Sequence, residues 1–177
     1  IEASNELAFP RKHFDEAATA GSGIDSLLTL GLEGADGKYG FLDIADSYSG
    51  TDAGNLANYY AGVSYLQLKQ YDKAIEFLSK FNSDDEMLGP VSLGAIGDAF
   101  SDINQQEDAL SYYEKAASKK DNEFTTPLFL YKAGHTAMAL KDYSKAESLF
   151  TQIKEKYSKS DQGVGIDKFI NAAKYAQ

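Results

Sequence analysis

An internal repeat constrains this chain more than any other feature. Three segments align without gaps, Asn58 to Phe81, Leu93 to Ala116 and Leu130 to Ile153. In each, a glycine precedes an alanine by the same interval, pairing Gly62 with Ala74, Gly97 with Ala109 and Gly134 with Ala146. Self-similarity at this period marks stacked supersecondary units, each needing its neighbours to bury an apolar face. A glycine inside a helix costs about 1 kcal/mol relative to alanine. Three of them at one phase therefore call for a packing reason, a first helix whose backbone lies close to a second, with the alanines at the crossing.

Bulk follows at helical spacing. Tyr65 and Phe100 stand on first helices, and Phe77, Leu78, Tyr113 and Phe150 on second helices, as apolar stripes of an amphipathic helix require. The stretches LKQYDKA, INQQEDA and LKDYSKA between them are polar and of the length that joins antiparallel helices. Phe41 to Thr51 resembles Phe150 to Ser160, matching Phe41 with Phe150, Ile44 with Ile153 and Tyr48 with Tyr157. It reads as another second helix, whose partner is expected from about Ala3 to Ala20, followed by a short helical piece from Ile24 to Leu32. Ile166, Phe169, Ile170 and Ala173 form one more stripe, expected to cap the last hairpin. Thr126 before Pro127 predicts a helix N-cap, and Asp84 or Asp85 one for the helix through Leu93. Strand alternation is missing throughout.

These residues resemble the tetratricopeptide repeat (TPR) family, whose unit of about 34 residues is helix, turn, helix. Gly at the eighth position, an aromatic residue at the eleventh and Ala at the twentieth match in the first two segments, while the third departs at Ala137. The expected fold is all-α, a right-handed superhelix of about four helical hairpins with a C-terminal capping helix. One domain is expected over 1–177, with an irregular hairpin over 1–52, repeats over 53–83, 84–119 and 120–160, and the cap over 161–177. The stretches NLANYYAGVSYLQLKQYDKAIEFL, GAIGDAF and FTTPLFLYKAG are also similar to the envelope TPR proteins of Bacteroidetes-type bacteria. That likeness implies a periplasmic location, with a cytoplasmic one as the alternative, a membrane anchor upstream of Ile1, and protein partners in envelope assembly or translocation.

Charge narrows the partner. The net charge of −10 gives no footprint for a phosphate backbone, so nucleic acid is not expected, nor is an anionic membrane surface. No stretch approaches the roughly 20 apolar residues of a spanning helix. With zero Cys there are no disulfides, thiolate metal sites or cysteine nucleophile. The chain starts at Ile1 without Met, which suggests a mature or trimmed fragment.

Catalytic motifs are missing: there is no HExxH, GxSxG, P-loop or dinucleotide fingerprint. The expectation is a non-enzyme without cofactor or metal. The two histidines, His13 and His135, fall on different hairpins, and His135 reads as an ordinary partly buried residue on the groove side. Asp84, Asp85 and Glu86 read as helix-start acids, and EGADGKYG from Glu33 as a turn without the ligand spacing of a calcium loop.

What the family resemblance implies is a concave groove lined by first helices. Carried over position by position, the candidate partner-binding residues are Tyr59, Val63 and Leu66, then Asp98 and Asp102, then Tyr131, His135 and Met138. Tyrosines offer large contact areas with a polar tip, and Asp98 with Asp102, four apart, favours a basic or amide-rich ligand. Tyr59 and Val63 replace the Lys and Asn of the family's carboxylate clamp, so capture of a C-terminal peptide tail is not expected. The leading expectation is a scaffold, monomer or weak homodimer, that holds a protein or peptide. The alternative is a structural spacer or homo-oligomer whose groove is filled by its own N-terminal helix or a second copy, with Leu56, Val63, Leu66 and Leu128 packed internally.

Overall fold

The computed structural model describes residues 2–176. The described residues are all-α apart from one isolated bridge between Ala35 and Lys38. That bridge closes the expected turn, in which Asp36 and Gly37 both adopt positive φ (51° and 73°) and Lys38 N donates to Ala35 O over 2.8 Å. No helix of the described residues is long and apolar enough to cross a membrane. The chain divides into two compact units, residues 1–82 and 83–177.

The first unit holds α1 (Glu2–Glu6), α2 (Ala8–Thr19), α3 (Ile24–Glu33), α4 (Phe41–Ser47), α5 (Asp52–Gln67) and α6 (Tyr71–Lys80). The long N-terminal helix expected to pair with residues 41–51 is instead two helices, and their partner is different. Pro10 explains the break, because its ring excludes the carbonyl of Glu6, where α1 ends. Most of α2 packs on α3, where a Cβ on Gly31 would lie 3.2 Å from Pro10 O. α4 packs chiefly on α5, with Phe41 stacked on Tyr60 at 5.1 Å.

The second unit holds α7 (Leu88–Asp102), α8 (Gln106–Lys119), α9 (Thr125–Ala139), α10 (Tyr143–Lys156) and α11 (Asp167–Tyr175). Its core runs through Leu110, Tyr113, Phe129, Leu149, Phe150 and Ile153 and is closed by Ile166 and Ala173, the expected stripe of the capping helix.

Three hairpins, α5/α6, α7/α8 and α9/α10, repeat one packing solution. A Cβ on Gly62 would stand 2.5 Å from Leu78 Cγ, one on Gly97 2.7 Å from the Tyr113 ring, and one on Gly134 closer still to the Phe150 ring. Each glycine thus seats the side chain one helical turn beyond the repeat's alanine, and Ala74, Ala109 and Ala146 are themselves fully buried. The paired aromatics sit beside this seat, Tyr65 on Phe77 at 5.5 Å and Phe100 on Tyr112 at 5.4 Å. Where the pattern departs, Ala137 is nevertheless buried.

The turns repeat as closely as the seats. Lys69, Asn104 and Lys141 all take left-handed backbone, with φ of 58°, 60° and 62°. Lys69 N donates to Leu66 O, Asn104 N to Ser101 O and Lys141 N to Met138 O, each over 3.0 Å. The next amides reach the carbonyls of Tyr65, Phe100 and Ala137 over 2.8–2.9 Å. This is the Schellman closure of a helix.

The match between residues 41–51 and 150–160 also holds in three dimensions. Phe41, Phe150, Ile44 and Ile153 are fully buried. Thr51 Oγ1 donates to Tyr48 O and Ser160 Oγ to Tyr157 O, both over 2.7 Å. The same hydroxyls accept from Gly54 N and Gly163 N, both over 3.1 Å.

Helix starts hold one expectation and correct another. Asp85 Oδ1 accepts from Met87 N and Leu88 N, 2.8 Å each, as expected of a cap. Those two bonds, to Leu88 and then Met87, hold its carboxyl below the usual carboxylate range. Thr126, by contrast, is not the N-cap of α9, which begins one residue earlier. Phe124 stands at the N-cap position, and Asn122 two residues before it supplies the capping oxygen, its Oδ1 accepting from Phe124 N (2.9 Å) and Thr125 N (2.7 Å). Pro127 therefore occupies the third helical position, where its missing N–H is still among the amides without an intrahelical partner.

Two substitutions should move stability in opposite directions. Gly97→Ala should destabilise by about 1–3 kcal/mol, because Tyr113 is anchored and the overpacking outweighs the gain in helix propensity. Lys141→Gly should stabilise by about 1 kcal/mol by relieving left-handed strain. Urea unfolding measures both.

Candidate functional site

In the first unit Tyr59, Val63 and Leu66 follow one another at helical spacing on α5, and all three are half-buried. The Tyr59 ring packs on Phe81 at 5.1 Å and on Tyr60 at 5.5 Å. Burial, then the neighbouring Tyr60, raises its hydroxyl above the ordinary tyrosine range. One turn earlier on α5, Leu56 helps to wall a cleft of about 840 Å³ together with Leu7, Ala8, Arg11 and Ala53. The N-terminal helices thus line a cleft with the start of α5.

In the second unit Asp98, expected with Asp102 to favour a basic or amide-rich ligand, is engaged within the chain. Lys132 Nζ lies 2.7 and 2.9 Å from the two Asp98 oxygens, and Tyr113 OH donates to Oδ1 over 2.7 Å. Burial first, then the bond to Asp98 and its charge, pushes the Tyr113 hydroxyl well up. This carboxylate ties α7, α8 and α9 together with its charge met inside the chain, while Asp102 one turn on is exposed. Sequence reasoning missed Lys132; the available signal was a base two places before Gly134, facing an acid one place after Gly97 in the preceding hairpin.

Tyr131, His135 and Met138 stand together on α9, half-buried. The first two belong to an aromatic cluster shared with α10 and α11. His135 lies 4.4 Å from Tyr131, 5.3 Å from Phe150 and 4.6 Å from Phe169, ring to ring, and Tyr131 is 5.4 Å from Phe169. Phe169 of α11 thus covers part of this face. His135 Nε2 is buried without a hydrogen-bond partner, and burial, followed by the charge of Lys168, holds its pKa below the ordinary histidine value.

His13 sits in the other unit, its Nδ1 3.2 Å from Glu16 Oε2. Among the described residues no three His, Cys, Asp or Glu side chains gather in a group able to hold a metal ion.

The depressed pKa of His135 sets the sign of a pH effect. Below about pH 6.5 the unfolded chain binds a proton that the folded chain resists, so stability is full above that pH and falls as pH drops through it. His135→Phe should flatten this part of the melting-temperature profile between about pH 7.5 and 5.5, compared with wild type by calorimetry.

With this geometry in place, the comparisons agree on one architecture. Tetratricopeptide-repeat family models match residues 56–84, 129–160 and 91–118, which together make up half of the chain. No curated protein matches the sequence. Among solved structures, the fold is similar to a crystal structure of a kinesin-light-chain-type protein of Podosopora anserina with nearly identical TPR-like repeats. The TM-score is 0.65 at 12% identity, covering 99% of this chain and 86% of that one. With its repeated glycine seats, its repeated turns and these matches, the chain belongs to the tetratricopeptide repeat family.

Proposed function

We propose that the chain is a non-enzymatic scaffold that holds a protein or peptide partner on the faces presented by its first helices. Family membership supports this, since helical repeats expose extended surfaces for other chains. The observation that carries it is the half-burial of Tyr59, Val63 and Leu66 along one face of α5, and of Tyr131 and Met138 on α9, together with the exposure of Asp102 on α7. Such side chains leave apolar area for a partner to cover. Asp98 serves the scaffold itself through Lys132. The likeness to envelope TPR proteins extends the reading to a periplasmic role in envelope assembly or translocation.

A second reading, a structural spacer or oligomer, is favoured by one contact: Phe169 already lies on Tyr131 and His135. Affinity capture from envelope and soluble fractions separates the two, with Leu66→Ser/Met138→Ser as the control. The scaffold reading expects a protein retained by wild type and reduced at least tenfold by the variant. Equal retention, with a concentration-dependent dimer in light scattering, would favour the spacer.

A further inference from the structure

The turns that lead into α7 and α9 share a pattern that the repeat glycines do not explain. Asp85-Glu86-Met87-Leu88-Gly89-Pro90 matches Asn122-Glu123-Phe124-Thr125-Thr126-Pro127 residue for residue in role. In both, the first side chain accepts from the amides two and three places on, over 2.7–2.9 Å. The third residue takes the same backbone, φ −107° and ψ −52° at Met87 against φ −109° and ψ −61° at Phe124. The two turns are clasped side by side, because Asn122 Nδ2 also donates to Glu86 O over 3.0 Å.

What this rigid frame presents is apolar and uncovered. Met87 is 45% exposed and Phe124 74% exposed, although Phe124 belongs to a residue type that ordinarily supplies core. The caps beside them are made by the side-chain oxygens of Asp85 and Asn122 on backbone amides and use neither apolar side chain. Asn122 spends both ends of its side chain on the turn, the amide donating as well to Lys120 O and Thr125 Oγ1. A pre-organised loop that displays an aromatic residue loses little entropy on binding, the condition for a hot spot.

The charge beside this pair indicates its partner. Glu86 and Glu123 each immediately precede the apolar residue, are exposed, and make no ion pair among the described residues. Asp84 adds a third exposed carboxylate, with Lys119 at 3.8 Å. Such a rim repels a second copy of a chain of net charge −10 and attracts cations.

We infer that the paired turns carrying Met87 and Phe124 form a docking surface, separate from the first-helix faces, for a partner segment in which apolar side chains are flanked by Lys or Arg. Glu86 and Glu123 select the basic flanks, and Met87 with Phe124 takes the apolar side chains.

The test is selection of a random 12-residue peptide display library on the immobilised full chain, with counter-selection on Met87→Ser/Phe124→Ser. Both positions are exposed, and circular dichroism verifies that the variant is folded. The expected result is a set of peptides combining apolar with basic residues. They should bind wild type at least tenfold more tightly than the serine variant, weaken several-fold with Glu86→Gln/Glu123→Gln, and be unaffected by Leu66→Ser. Recovery of no variant-sensitive peptide overturns the proposal, as does recovery of apolar or acidic peptides without Lys or Arg. A concentration-dependent dimer of the wild type that the serine variant abolishes would show the occupant to be a second copy, and would likewise overturn it.

Discussion

Everything in the hairpins depends on a steric exclusion: at Gly62, Gly97 and Gly134 there is no room for a Cβ. The side chains that fill that space, Leu78, Tyr113 and Phe150, come from the opposite helix and are themselves buried. Helix separation is set by what stands at the crossing, so the missing Cβ fixes how closely each pair lies. The distance between helices in turn lets the fully buried alanines pack without a void. The three Schellman turns then follow, because chain leaving a helix this close to its partner must reverse at once, and a left-handed residue does so.

The second unit adds polar cross-links to this steric frame. Asp98 joins three helices by accepting from Lys132 and Tyr113. Tyr157 OH donates to Asp121, and burial first, then that bond, raises the Tyr157 hydroxyl to about 12. A half-buried carboxylate that already has a lysine and a phenol has little left for a ligand. Of the two acids expected on the first-helix faces, Asp102 is therefore the one whose carboxylate is exposed, and further exposed carboxylates stand on the turn residues before α7 and α9.

The parts of the fold that were legible in the sequence are those that short-range rules determine. The glycine-to-alanine interval, the polar turns, the cap by Asp85 and the match of residues 41–51 with 150–160 all depend on neighbours within one hairpin. The parts that were not legible depend on distant partners. Nothing local shows that Lys132 reaches Asp98, or that Phe169 covers Tyr131. Thr126-Pro127 looked like a cap and its following proline, yet Asn122, four residues earlier, offers a carbonyl oxygen to two amides and displaces the start of α9. In the N-terminal unit the apolar stripe of α2 fits α3 as well as it fits α4, and pattern alone does not choose between them.

The most direct measurement is a double-mutant cycle on Gly62→Ala and Leu78→Ala, read by urea unfolding. Leu78→Ala alone leaves a cavity and Gly62→Ala alone overpacks the crossing. If the seat sets the hairpin, the added methyl occupies part of the space that the leucine leaves. The double variant is then more stable than the sum of the two changes predicts, by about 1 kcal/mol or more. Additive effects, within about 0.5 kcal/mol, would show that glycine and leucine do not act as one contact, contradicting the steric account of the hairpins.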